Sequence, residues 1–278
     1  MAGLKLLITG GSSYLGQHLV EMALAEGHEV VYTFFSHDPL AFPAGYPLDT
    51  CDNQAVIALV TAFRPQVIIH LAGSNRPAGT MDRVIRQGAV NICQAAGRVG
   101  ARLIHLSTDV VFDGRQAPYV EDAAPTPLHA YGRAKAFAEG IVGQYPDQVI
   151  VRTSLIYGLK RMDRGTEWVQ EALLAARPVT LFTNQFRNPV WADSLSAACL
   201  ELAAMDYCGV LHVAGRERLS RADFGLRLLD WWGIQPRTSL QLGLGDPEQW
   251  PADCTLAIDR AQTLLKTPLP GVSEVLGQ

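Results

Sequence analysis

Short apolar runs alternate with amphipathic stretches along the first 155 residues of the chain. The apolar runs are rich in Val, Ile, Leu and aromatic residues and predict strands, because these side chains suit a buried pleated surface. Between the runs, apolar residues recur three or four positions apart, which predicts helices. The predicted strands are Leu4–Thr9, His28–Phe35, Gln66–Leu71, Ala101–Ser107 and Gln148–Arg152, and the predicted helices are Tyr14–Ala25, Asp52–Phe63, a stretch that reaches Arg98, and Ala130–Val142.

The pattern loosens after about residue 155. Helices are predicted near 166–176, 192–205 and 220–231, and short strands at Val179–Phe182 and Val210–Val213 lie between them. Strands that alternate regularly with helices imply right-handed crossovers and a buried parallel sheet. The first part of the chain therefore predicts an α/β fold, and the second part a smaller and less regular region.

Composition narrows the class of protein. With 48% hydrophobic and 18% charged residues, the 278-residue chain has enough apolar surface to fold. A net charge of −4 gives no reason to expect binding to nucleic acid or to a membrane. The five cysteines form no C-x-x-C pair and indicate neither disulfides nor a metal site. Because the N-terminal apolar run is short, we expect no signal peptide and a cytoplasmic protein.

A glycine-containing turn, Thr9–Gly16, follows the first predicted strand and leads into the first predicted helix. In such a turn, backbone N–H groups and a helix N-terminus can bind a dinucleotide pyrophosphate. Gly10 would form the tight turn, and Gly16 would let the helix pack closely on the sheet. An ordinary strand-to-helix turn is the alternative interpretation of this segment.

The end of the second strand bears on the choice of cofactor. NAD-binding proteins usually carry an acid there, which binds the ribose hydroxyls. This chain has no acid before Asp38, and Ser36 and His37 could donate to a 2′-phosphate. The pattern favours NADP over NAD, although no arginine is present in this segment and His37 is equally compatible with an incidental histidine.

Tyr131 and Lys135 are spaced so that both side chains lie on one face of a predicted helix. A nearby ammonium favours the phenolate form of a tyrosine, so this pair suits general acid–base catalysis. Only four lysines occur in the chain, which makes the spacing informative. Upstream, Thr108 follows the fourth strand at the sheet edge where α/β proteins bind ligands. Its hydroxyl would either bond a substrate carbonyl or cap a turn.

These motifs resemble those of the extended short-chain dehydrogenase/reductases, and within them the dTDP-4-dehydrorhamnose reductases and their relatives. The resemblance covers almost the whole chain and is strongest in Ser107–Gly114. The matching segments are Gly10–Gly16, Leu71–Gly73, Asn91, Ser107–Gly114, Tyr119–Asp122 with Pro125 and Pro127, Tyr131–Lys135 with Glu139, Arg152–Gly158, Asn184–Pro189, Ala192–Leu195 and His212–Gly215.

The resemblance implies a Rossmann-type doubly wound parallel sheet with a smaller C-terminal substrate-binding region. Residues 1–155 would form the NAD(P)-binding domain, and 156–278 mainly the substrate-binding region, with segments near 186–214 returning to the Rossmann core. It also implies NADP(H) as the cofactor, with NAD(H) as the alternative, and a nucleotide-linked keto sugar as the small-molecule substrate. Homodimers are common in the family.

The resemblance further assigns roles to individual residues. Thr108 and Tyr131 would hold the substrate oxygen, and Tyr131 would donate the proton. Lys135 would bind the nicotinamide ribose and lower the pKa of Tyr131. Cofactor contacts would come from Gly10, Ser12, Ser13, Tyr14, Leu15, Ser36, His37, Leu48, Asp49, Leu71, Ala72, Gly73, Ser107, Tyr131 and Lys135, and substrate contacts from Thr108, Asp109, Val110, Leu155, Arg187 and Trp191.

Three positions depart from the family pattern. Ser13 stands where the family has a glycine, so its side chain either crowds the pyrophosphate or adds a hydroxyl donor. Val110 and Leu155 stand where the rhamnose reductases usually have aromatic residues near the sugar. A pocket without these two aromatic walls is expected to accept a different ligand from the rhamnose precursor.

Two other functions remain open at this point. The chain also resembles the regulatory β subunit of methionine adenosyltransferase, which predicts cofactor binding without catalysis. An epimerase would use the same residues and return the hydride within one turnover. Dehydration is disfavoured, because dehydratases of the superfamily have an Asp-Glu pair after the active-site threonine and here Asp109 precedes Val110.

Overall fold

The computed structural model describes residues 3–73 and 78–277. Within these ranges the helices occupy most of the spans between the central strands. The strands are β1 (Lys5–Thr9), β2 (Glu29–Phe34), β3 (Gly45–Pro47), β4 (Val67–His70), β5 (Arg102–Thr108), β6 (Gln148–Thr153), β7 (Ile156–Tyr157), β8 (Val179–Phe182), β9 (Phe186–Arg187), β10 (Val190–Trp191), β11 (Gly209–His212), β12 (Leu219–Ser220) and β13 (Leu240–Gly243). The helices are α1 (Tyr14–Ala25), α2 (Asn53–Phe63), α3 (Ala78–Val99), α4 (Ala130–Val142), α5 (Arg164–Leu174), α6 (Ala192–Ala203), α7 (Arg221–Trp231), α8 (Asp259–Leu264) and α9 (Val272–Leu276).

Seven strands form one parallel sheet in the order β11-β6-β5-β4-β1-β2-β3. The strand order reverses between β1 and β4, which creates a crevice at the carboxyl ends of these strands. The predicted Rossmann-type α/β fold is confirmed.

Helices cover both faces of the sheet. Successive side chains of each strand point to opposite faces, so each strand contributes to two apolar cores. Leu6 and Ile8 of β1 belong to the apolar core that also contains residues of α1 and α6. Leu7 belongs to the core on the other face, together with residues of α2, α3 and α4. The central strands are therefore buried on both sides, as their near-continuous apolar runs predict.

The predicted bounds of α1 and α4 agree with the structure, and other elements shift by a few residues. Helix α5 begins at Arg164 rather than near 166, because the Asp163 carboxylate caps it by accepting from the Gly165 and Thr166 N–H groups. Strand β3 was not predicted: its three residues, Gly45–Pro47, form no apolar run, and two of them are exposed.

The C-terminal region contributes two small apolar cores and three two-stranded sheets. Two of its elements lie against the central sheet. Helix α6 packs on the α1 face, and β11 pairs with β6 as the outermost strand. None of the helices within 3–73 and 78–277 is long and apolar enough to cross a membrane.

Candidate functional site

A cleft of about 930 Å³ opens at the carboxyl ends of the strands, beside the reversal of strand order. Its wall contains fourteen of the fifteen residues predicted to bind the cofactor; His37 is exposed and is not in the wall. The wall also contains Leu155 of the predicted substrate set. Further lining residues, which the sequence did not indicate, are Thr33, Phe34, Phe35, Thr50, Thr80, Arg83, Val84, Leu106, Ser154, Ile156, Asp163, Arg164 and Gly165.

The glycine turn between β1 and α1 is tightly packed. Gly10 has φ +73°, and a Cβ atom there would lie 2.9 Å from the backbone nitrogen of Ala72. At Gly16 a Cβ atom would lie 2.3 Å from the carbonyl oxygen of Gly10. Both positions therefore require glycine for the turn and for the close approach of α1. The resulting cradle of backbone N–H groups at a helix N-terminus has the chemistry that binds phosphate.

Ser13, the departure from the family's glycine pattern, has a local role in the structure. It is the N-cap of α1, and its Oγ accepts a hydrogen bond from the Gly16 N–H at 3.1 Å. The side chain therefore satisfies one of the free N–H groups of the first helical turn. The serine strengthens the start of α1 at this position.

One end of the cleft lies beside the end of β2. The first acid after β2, Asp38, accepts hydrogen bonds from Tyr32 Oη at 2.7 Å and from the Leu40 N–H at 3.1 Å. Leu48 is joined to this end by a 2.8 Å hydrogen bond from its N–H to the Phe34 carbonyl. Asp38 is thus engaged within its own loop, and no carboxylate from β2 enters the cleft wall.

Arg83 of α3 enters the same wall, which the sequence did not predict. Its backbone carbonyl lies 3.9 Å from Cys51 Sγ, and the Cys51 N–H donates to Asp49 Oδ1 at 2.8 Å. These contacts place Arg83 near the Leu48–Asp49 segment. Arg83 is therefore a cationic residue of the wall that comes from a helix distant in sequence from β2.

Thr108 ends β5 and begins the short 3₁₀ helix Asp109–Val111. Its Oγ1 donates to Asp109 Oδ1 at 3.2 Å and accepts from the Val110 N–H at 3.4 Å. Helix α4 packs closely on this turn, since a Cβ atom at Gly132 would lie 2.3 Å from the Val110 carbonyl oxygen. This contact positions the first turn of α4, which carries Tyr131, against the Thr108–Val110 segment.

Lys135 is almost completely buried, with 4% of its surface exposed. Its Nζ donates to the Leu106 carbonyl and lies 3.3 Å from His105 Nε2. Burial lowers the pKa of Lys135 to about 8, while the nearby Glu139 carboxylate acts in the opposite direction. The ammonium therefore titrates close to physiological pH.

The resemblance predicted that Lys135 lowers the pKa of Tyr131. In the structure the pKa of Tyr131 is raised instead. Burial, followed by the Asp109 carboxylate, raises the pKa of Tyr131 to about 12. The Lys135 ammonium is directed to His105 and the Leu106 carbonyl. Tyr131 is thus protonated at neutral pH, which suits a proton donor.

Five of the six predicted substrate residues, Thr108, Asp109, Val110, Arg187 and Trp191, are not in the cleft wall. Arg187 is 3% exposed, and its guanidinium donates to the carbonyls of Phe186 and Pro251 and pairs with Asp109 at 3.5 Å. Asp109 also accepts from Ser154 Oγ at 2.7 Å, and burial raises its pKa. Trp191 packs against a C-terminal apolar core.

A cluster of aromatic rings beside Tyr131 was not predicted from the sequence. His129 caps α4 by accepting the Gly132 N–H at 3.2 Å, and its ring centroid lies 6.4 Å from that of Tyr131 at 27°. The ring of Trp250 lies 5.4 Å from His129, and this tryptophan is 51% exposed. Trp250 lies between Pro247 and Pro251 in the C-terminal region, far along the chain from α4, so no local sequence pattern connects the two.

Three comparisons with known proteins describe what the chain is similar to. The family model described as "RmlD substrate binding domain" matches residues 4–276. A dTDP-4-keto-6-deoxy-D-glucose reductase from Streptomyces niveus is 33% identical over 86% of this chain and 84% of its own length. Methionine adenosyltransferase 2 subunit beta from Xenopus tropicalis is 26% identical over 89% and 79%. A solved dTDP-4-dehydrorhamnose reductase from Bacillus anthracis, in complex with NADP, has TM-score 0.82 and 23% identity over 99% and 98% of the chains.

Gly16→Ala tests the close approach of α1 to the glycine turn. Because the new methyl would meet the Gly10 carbonyl at 2.3 Å, we expect a lower melting temperature and a weaker affinity for NADPH, measured by thermal denaturation and fluorescence titration. Gly140→Ala in α4 is the matched control: its Cβ atom meets nothing within 4 Å, so stability should be unchanged or higher by about 0.5–1 kcal/mol. Equal effects of the two substitutions would contradict the close approach of α1 to the glycine turn at position 16.

Proposed function

The chain belongs to the family of the RmlD substrate binding domain, among the extended short-chain dehydrogenase/reductases, and from this we propose that it is a reductase of the keto group of a nucleotide-linked sugar. One observation carries the proposal. Tyr131 and Lys135 line one cleft one helical turn apart, and that cleft also contains the glycine turn. Packing of α4 brings the Thr108 segment beside Tyr131.

We propose NADP(H) as the preferred cofactor and NAD(H) as the alternative. The first acid after β2 is held by Tyr32 and so does not repel a 2′-phosphate from within the wall. Arg83 and Ser36 line the wall and offer a cation and a hydroxyl donor for that phosphate. NADPH, when bound, supplies the hydride for the keto carbon.

The residues of the chain would complete the reduction as follows. The hydroxyls of Thr108 and Tyr131 hold the keto oxygen, and Lys135 binds the nicotinamide ribose. As the carbonyl carbon gains the hydride, Tyr131 gives its phenolic proton to the oxygen, and the keto group becomes a secondary alcohol. A pKa of about 12 favours the protonated phenol needed for this direction. The phenolate is then reprotonated from solvent.

The substrate would be held differently from the rhamnose precursor. Val110 and Leu155 offer aliphatic side chains where the family has aromatic ones. We propose that the exposed ring of Trp250, which lies against His129 beside Tyr131 at an angle of 56°, packs on the sugar ring in their place. An apolar ring face packs well on the C–H groups of a sugar and excludes water from the reacting carbonyl.

A regulatory subunit is the second candidate function, favoured by the 26% identity with the methionine adenosyltransferase subunit. It predicts NADPH binding without oxidation by any keto sugar. An epimerase would change the sugar without net consumption of NADPH. A screen of nucleotide-linked keto sugars with NADPH and NADH separates the three: the reductase oxidises one NADPH for each alcohol formed.

Tyr131→Phe removes the proposed proton donor while keeping the ring. We expect kcat to fall by about 10²–10⁴-fold, the usual contribution of a general acid, with little change in the dissociation constant for NADPH. Tyr145→Phe is the control, since Tyr145 Oη bonds the Ala101 carbonyl at 2.7 Å and is not in the cleft wall. A Tyr131→Phe protein with full turnover would refute the mechanism.

Arg83→Ser tests the assignment of the 2′-phosphate. Removal of this cation should weaken NADPH binding by about tenfold or more, the loss expected for a charge-assisted hydrogen bond, while NADH binding changes little. Arg86→Ser is the control on the same helix, because Arg86 pairs with Asp82 at 2.8 Å and is not in the wall. Isothermal titration with NADPH and NADH measures the ratio of the two dissociation constants. Equal weakening for both cofactors would contradict a contact between Arg83 and the 2′-phosphate.

Trp250→Ala tests the proposed sugar platform. We expect a higher KM for the keto sugar found by the screen and an unchanged dissociation constant for NADPH, because the indole lies outside the cofactor wall. Trp231→Ala, at the end of α7 and 44% exposed, is the matched control. An unchanged KM in Trp250→Ala would show that the substrate does not reach this ring.

A further inference from the structure

Lys135 rests on a buried row of polar side chains that crosses three neighbouring strands. Thr9 of β1 is the register partner of His70 in β4, and His70 is the register partner of His105 in β5. Thr9, His70 and His105 are each at most 1% exposed. The row runs from Thr9, the first residue of the glycine turn, to His105, which lies against Lys135.

Contacts join the members of the row. Thr9 Oγ1 and His70 Nδ1 are 2.6 Å apart, and the rings of His70 and His105 lie 5.2 Å apart at 35°. His105 Nε2 is 3.3 Å from Lys135 Nζ. Since an ammonium group only donates hydrogen bonds, Nε2 must be the bare acceptor nitrogen and the proton of a neutral His105 must lie on Nδ1.

This arrangement leaves two buried nitrogens unsatisfied. His105 Nδ1 and His70 Nε2 have no hydrogen-bond partner among the residues that the structure describes. Leucine at position 105 would avoid this cost, so packing alone does not account for the histidine. The contact with Lys135 is the one favourable polar interaction that His105 makes within the described chain.

We propose that His105 is a positioning residue, whose Nε2 keeps the Lys135 side chain charged and fixed beneath the cleft, and that His70 and Thr9 hold the His105 ring in place. The proposal rests on the proposed function for the role of Lys135 toward the cofactor. His105 acts through Lys135 and does not itself touch the reacting atoms.

Several groups face Lys135 and affect the pKa of its ammonium group. Glu139, one turn further along α4, favours the ammonium and is itself paired with Arg152 at 2.8 Å. Tyr131 lies one turn before it, and His105 and His70 face it from the sheet. Burial holds the pKa of both histidines below the usual value, to about 3 for His70, so both stay neutral across the physiological range. A neutral acceptor stabilises the ammonium, and its removal must lower the pKa of Lys135 further.

The direct test follows Lys135 by NMR in protein labelled at the lysine Cε atoms. Only Lys5, Lys135, Lys160 and Lys266 contribute signals, and Lys135→Met assigns the relevant one. We expect the wild-type pKa near 8, a value lower by one unit or more (a tenfold shift in protonation) in His105→Leu, and recovery in His105→Gln, which keeps an acceptor oxygen. An unchanged pKa in His105→Leu overturns the proposal.

A second measurement needs no substitution. In wild-type protein with ¹⁵N-labelled histidine, an unprotonated Nε2 on His105 supports the proposal, and a protonated Nε2 overturns it. This keeps the question answerable if His105→Leu does not fold.

Cofactor binding gives the functional readout. In His105→Leu the loss of NADPH affinity with rising pH should begin at lower pH than in wild type, and His105→Gln should restore the wild-type profile; coinciding profiles of His105→Leu and wild type overturn the proposal. The proposed reductase function can fail independently, because an inactive screen leaves the Lys135 titration and the NADPH profile measurable.

Discussion

The charge of the buried Lys135 is the constraint on which the arrangement of β5, β6 and α4 depends. An ammonium that is 4% exposed loses most of its hydration, so the surrounding protein must supply acceptors and negative charge. The Leu106 carbonyl and His105 supply acceptors directly, and Glu139 supplies the charge. Glu139 is in turn fixed by Arg152 and by Ser107 Oγ, so β5, β6 and α4 are joined around one buried cation. Removal of one partner from such a network leaves another charge uncompensated, which is why buried pairs are costly to break.

A second buried charge links the end of β5 to the C-terminal region. Asp109 follows Thr108 directly and is paired with Arg187, whose guanidinium also donates to the Pro251 carbonyl. Position 251 adjoins Trp250, the exposed ring beside His129 and Tyr131. The Arg187 guanidinium thus contacts both the end of β5 and the C-terminal segment around Pro251. Arg187, predicted from sequence to touch substrate, is buried in this structure and supports the neighbouring segment.

Local patterns predicted the fold and the centre of the site because the information was local. The bounds of α1 and α4 followed from helical spacing, and the Tyr131–Lys135 pair needed only one turn of helix. The glycine turn was visible because strand, turn and helix are contiguous. The long-range partners were not visible: Arg83, His105 and Trp250 reach the site from different elements, and their spacing along the chain carries no period. His105 lies in an apolar strand, and a lone histidine there has no pattern that reveals its partner. The direction of the Tyr131 pKa shift could be found only from the structure, because the shift depends on burial and on the Asp109 carboxylate.

The connection from Asp109 through Arg187 to the Pro251 carbonyl has a consequence for protein engineering. If the segment that carries Trp250 were replaced by that of a relative, the Pro251 carbonyl would be displaced and the buried guanidinium would lose an acceptor while still facing Asp109. The segment that carries Trp250 and the end of β5 therefore form one exchangeable module rather than two. A chimera designed to alter the substrate would have to carry positions 109, 187 and 251 together, because loop exchange alone would disturb the strand that bears Thr108.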